Sequence, residues 1–119
     1  MLKVIFTLDY EIHGNGDGCP YALMVEPTNR MMRQFEAYGA KLTIMADVAE
    51  ILKFKEYKEE FGRDDYHYDA IAEQLRDAIR RGHDVQLHPT PPISTHDSRM
   101  VGGSRIGRNT ISQVCRGNE

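Results

Sequence analysis

Three short apolar runs, at residues 2–8, 41–46 and 84–88, are separated by segments long enough to hold helices. The spacing constrains the fold more than any other feature. Strands joined through helices cannot form tight hairpins, so they enter a sheet in parallel, by right-handed crossovers. The element order read along the chain is strand, helix, strand, helix, helix, strand, which predicts an α/β fold. The run from Leu2 to Leu8 is broken only by Lys3 and ends at an acid, as a strand buried on both faces would.

The intervening segments carry helix signals. Thr28 is placed to cap a helix bearing Met31, Met32, Phe35 and Tyr38, with Gly39 at its stop. Asp47 can cap a helix carrying Val48, Ile51 and Leu52. The stretch from Glu56 to Asp65 is charge-dense and reads as a solvated helix end and loop. Tyr68, Ile71, Leu75, Ala78 and Ile79 mark an amphipathic helix closed by Arg80, Arg81 and Gly82.

The net charge of −3 and the lack of a basic stripe argue against a nucleic-acid partner. The N-terminus has only a short apolar run and then acids, so neither a signal peptide nor a membrane span is expected there. Cys19 and Cys115 are far apart in sequence and form no CxxC, so a disulfide is not expected and a reduced, cytoplasmic setting is favoured. After His88 the composition changes. Residues 1–88 hold 11 Lys/Arg and 16 Asp/Glu, whereas residues 89–119 hold 4 and 2 and keep no hydrophobic period. The division expected is a domain at 1–88 and an irregular tail at 89–119.

In parallel α/β folds the chemistry lies beyond the carboxyl ends of the strands. Asp9, the Ala46–Asp47 pair and His88 fall there. Asp9 and Glu11 are two apart and so share a strand face. Paired carboxylates beside an imidazole suit a divalent metal, or one carboxylate can serve as general base. Acids at a strand end are also common as solubilising loop residues. His83 follows the Gly82 turn and is expected to stabilise it, His67 is expected to be solvated, and His96 has no expected role. The Gly14–Gly18 loop (GNGDG) could cradle a phosphate, although Asp17 would repel an anion.

Four features occur in order: FTLDYEIHGNG, YGAKLTIMADVAEI, RDAIRRGHDVQLH and a following proline. This ordered set resembles the start of the polysaccharide deacetylase (NodB-homology) family, over about residues 2–89. The resemblance implies a partial (β/α) barrel, a carbohydrate substrate, and hydrolysis of its acetyl groups with a divalent metal, commonly zinc. It implies Asp9 as catalytic base, with Glu11 and His88 as metal ligands. Those two acid roles could be exchanged, because Tyr10 separates acids that are adjacent in the common motif. The first and third strands are expected to run side by side, bringing these groups to one rim.

The family's second histidine lies two or four residues after the first, where this chain has Thr90 and Pro92. The later family motifs are absent, as a frameshift just after His88 would leave them. A barrel begun but not closed exposes a strand edge, so self-association there is expected. The other expectation is a non-catalytic α/β fragment that binds phosphate or a partner through the Gly14–Gly18 loop.

Overall fold

The computed structural model describes residues 1–12 and 18–88. Strand β1 (Phe6–Tyr10) leads to a π-helical turn (Tyr21–Val25) that runs directly into α1 (Glu26–Ala37). Then come β2 (Leu42–Asp47), α2 (Val48–Phe61), α3 (Tyr68–Arg80) and β3 (Asp84–His88). The three strands form one parallel sheet in the order β1-β2-β3. The α/β class, the parallel sense and the element order therefore agree with the pattern of apolar runs.

Three local expectations are corrected. The first strand spans Phe6–Tyr10 rather than 2–8, because Phe6 already pairs with Leu42, the first residue of β2. Among the described residues no strand lies beside residues 2–5, and Leu2, Val4 and Ile5 are exposed. Nor is β1 buried on both faces. Leu8 and Tyr10 pack into the core, while Thr7 and Asp9 are exposed. Finally, Thr28 is no cap. It lies buried inside α1, which starts at Glu26 with Pro27 in its first turn, where a missing N–H costs no hydrogen bond.

Alternation along the strands decides where the core sits. Leu8 and Tyr10, Leu42, Ile44 and Ala46, and Val85 share one face. Met32 of α1, Phe54 of α2 and Ile71 and Ala78 of α3 complete that core. The opposite face carries Thr7, Asp9, Thr43, Met45, Asp84 and Gln86, and is polar and largely open.

Polar groups inside the helix-covered face are paired. The Tyr10 hydroxyl donates to Gln74 Oε1 at 2.5 Å. Gln74 Nε2 in turn donates to the Val25 carbonyl at 2.6 Å and to Asn29 Oδ1 at 3.0 Å. One buried amide thereby ties β1, the π-helical turn, α1 and α3 together, with its donors and acceptor used. Burial pushes the Tyr10 phenol up, so the hydroxyl keeps the proton it donates.

The helix ends follow from local chemistry. Asp47 accepts the Glu50 N–H at 3.2 Å and so caps α2, as the sequence predicts. Gly62, at φ 64°, stops α2 in the left-handed region. His67 adopts φ 56° without being glycine. Its neighbour Asp64 holds this turn by accepting from the N–H groups of Tyr68 (2.7 Å) and Asp69 (3.1 Å). His67 is half-buried with its ring 5.5 Å from that of Tyr21, so the expectation of a solvated His67 is corrected.

Candidate functional site

The site lies at the carboxyl end of the sheet. In register, Asp9 stands opposite Met45, which stands opposite Gln86, and Asp47 stands opposite His88. Because directly paired residues in a sheet project from the same face, Asp9, Asp47 and His88 share the open face. Glu11 follows the last residue of β1 and is half-buried.

The first and third strands are not side by side. β2 lies between them, so that expectation is corrected. The physical reason is that each short crossover delivers its strand next to the preceding one, which places β2 centrally. Asp9 and His88 thus stand two inter-strand spacings apart, roughly 10 Å across the sheet. The upper end of that gap is occupied by Asp47, which ends β2 and also caps α2.

Asp47 is buried, and Glu50, three residues on, reaches across to the chain just past β1. Glu50 Oε1 accepts the Ile12 N–H at 2.8 Å and fixes the chain just past Glu11. Burial pushes the Glu50 carboxyl up, opposed by the Ile12 N–H and reinforced by the charges of Asp47 and Glu11. The rim of the sheet is therefore acidic and organised by the first turn of α2. The D-x-x-E spacing of Asp47 and Glu50 was the available signal, since it is the spacing of a helix-start motif.

The donor types of Glu11 and His88 suit zinc, whose catalytic sites supply three protein ligands. Among the described residues, no group of three His, Cys, Asp or Glu is arranged to hold a metal ion. Glu11 and His88 alone do not make such a site, and no reaction step is drawn through one. The expected phosphate loop (Gly14–Gly18), apart from Gly18, and the tail from residue 89, including Thr90, Pro92 and His96, lie outside the described residues.

Two other residues depart from or refine expectation. The backbone N–H of His83 donates to the Ala78 carbonyl at 3.0 Å across the turn after α3, while its buried ring has two partners elsewhere. Its Nδ1 accepts the Leu42 N–H at 3.1 Å, and its Nε2 lies 2.8 Å from Glu36 Oε1. Cys19 is buried, and Cys115, the other cysteine of the chain, lies outside the described residues.

No helix among the described residues is long and apolar enough to cross a membrane. Comparison with protein-family models, with curated proteins and with solved structures finds no match for this chain.

Proposed function

We propose that residues 1–88 form the N-terminal portion of a polysaccharide-deacetylase-like domain, a partial (β/α) barrel whose chemistry is hydrolysis of acetyl groups on a carbohydrate. The observation that carries this reading is the shared open face. A parallel sheet with its helices on the other side presents Asp9 and His88 towards what would be the inside of a barrel, at the carboxyl ends of their strands. Asp9 is exposed there and is the group that would take a proton from the attacking water. Glu11 and His88 are the donors a divalent metal, zinc foremost, would use, and such a metal supplies polarisation of the acetyl carbonyl. With two donors, metal affinity is weak unless water or a further residue completes the shell.

Zinc and cobalt titration by calorimetry tests the site. Uptake that is lost in His88→Ala supports the proposal, and acetate release from acetylated xylan or chitooligosaccharide establishes turnover. Absence of metal uptake, or uptake indifferent to His88→Ala, rejects it. Binding of inorganic phosphate without metal uptake would instead favour the non-catalytic fragment.

A further inference from the structure

The N-terminal segment has a pattern that the monomer does not use. From Leu2 to Tyr10 the even positions are Leu2, Val4, Phe6, Leu8 and Tyr10, all apolar. Within β1 these even residues face the helices, where Phe6 meets the Phe35 ring edge-on at 4.9 Å. The odd positions are Lys3, Ile5, Thr7 and Asp9. Among the described residues, only 6–10 of this segment are paired, and only on the β2 side. Among the described residues, the other edge of β1 has no strand. Leu2, Val4 and Ile5 are 87%, 62% and 78% exposed. Lys3 and Asp9 make no ion pair or side-chain hydrogen bond among the described residues.

We infer that a second copy of this chain pairs with β1 in antiparallel fashion, across a two-fold axis at Phe6, with Lys3 of each copy opposite Asp9 of the other. An isologous contact must be self-complementary, and this segment is. In that register Val4 stands opposite Leu8, Leu2 opposite Tyr10 and Phe6 opposite its own equivalent. Every apolar pair then lies on the helix-covered side, and both charge pairs lie on the open side. A slip of one residue would reverse the faces. A shift of two residues in one direction sets Lys3 opposite Thr7 and leaves both charges without opposite partners. The same shift in the other direction sets Lys3 opposite Glu11, one residue past the end of β1, and sets Asp9 opposite the apolar Ile5. The register centred on Phe6 is thus the one of these three that leaves neither Lys3 nor Asp9 opposite an uncharged residue. The inference stands apart from the hydrolytic proposal, because its readout is molecular mass, not metal uptake or acetate release.

Sedimentation equilibrium and light scattering of the full chain test it, with Lys3→Asp, Asp9→Lys and the double exchange. Lys3 and Asp9 are exposed, so circular dichroism is expected to be unchanged in all three. The wild-type chain is expected to dimerise. Each single reversal places like charges opposite each other at two sites and should raise the dimer dissociation constant by about tenfold or more. The double exchange restores opposite charges and should restore the dimer. A wild-type chain that stays monomeric across a hundredfold range of concentration overturns the inference. So does a dimer that ignores the single reversals, or one that the double exchange fails to recover.

Discussion

The backbone N–H of Leu42, the first residue of β2, donates to Nδ1 of His83, just ahead of β3. With Nδ1 accepting, the ring proton lies on Nε2 and is donated to Glu36 on α1, at 2.8 Å. One imidazole thereby joins two neighbouring strands to a helix at the amino-terminal end of the sheet. His83→Ala leaves a buried strand N–H without its acceptor and should cost about 2–3 kcal/mol. Urea denaturation followed by circular dichroism measures it, and a loss below half a kilocalorie would show that water replaces the ring without penalty.

Acid should weaken the same corner. Arg81 holds Glu36 through two short contacts, 2.7 Å and 2.8 Å, and His83 adds a third. These hydrogen bonds, that of Arg81 first, bring the Glu36 carboxyl down to about 2 from its ordinary 4.5. A carboxyl lowered by folding stabilises the native state above its unfolded value, and that stability is lost as pH falls through the folded value. Stability is therefore expected to decline between about pH 4.5 and 2. Glu36→Gln should flatten that part of the profile, as measured by thermal unfolding at stepped pH.

Glu50 should behave in the opposite sense. Its carboxyl is raised by burial, so its contribution is full below the unfolded value and is lost as pH rises through the folded one. Glu50→Gln keeps an oxygen to accept the Ile12 N–H and removes the buried charge. A gain of at most about 1 kcal/mol at neutral pH is expected, reduced by solvent screening. The gain should vanish in acid, and a destabilised variant at pH 7 would show that the charge itself holds Ile12.

Tyr10→Phe removes the donor to Gln74 Oε1 and should cost about 1–2 kcal/mol. In a double-mutant cycle with Gln74→Leu the two changes should be strongly non-additive, because they act on one bond. Additive losses in chemical denaturation would mean that the hydroxyl and the amide act independently.

The two sheet faces should differ in tolerance. Ile44→Ala in the core is expected to cost about 2–5 kcal/mol. Gln86→Thr on the open face of β3 should stay within about 0.5 kcal/mol of wild type. Equal losses at the two positions would mean that the open face is covered in solution.

Much of this was legible along the chain. The apolar runs located three strands to within a few residues, and Asp47, Gly39 and Gly82 mark helix ends through chemistry that acts over one turn. The roles of Gln74 and His83 were not legible, because their partners lie 64, 49 and 45, and 41 and 47 residues away respectively. Nothing in a lone buried glutamine or histidine announces which distant backbone group it will meet. Nor could periodicity place the start of β1, since Leu2 to Ile5 are as strand-like as Phe6 to Tyr10. The length of β2 determined which of them pair.

At the candidate site the division is the same. The sequence by itself determined that Asp9, Asp47 and His88 fall at or beside the carboxyl ends of their strands, since the apolar runs stop there. Only the tertiary structure decided that β2 stands between β1 and β3, which separates Asp9 from His88 and seats Asp47 opposite the imidazole. Strand order depends on where each crossover helix packs, and that is a property of the assembled core rather than of any single segment.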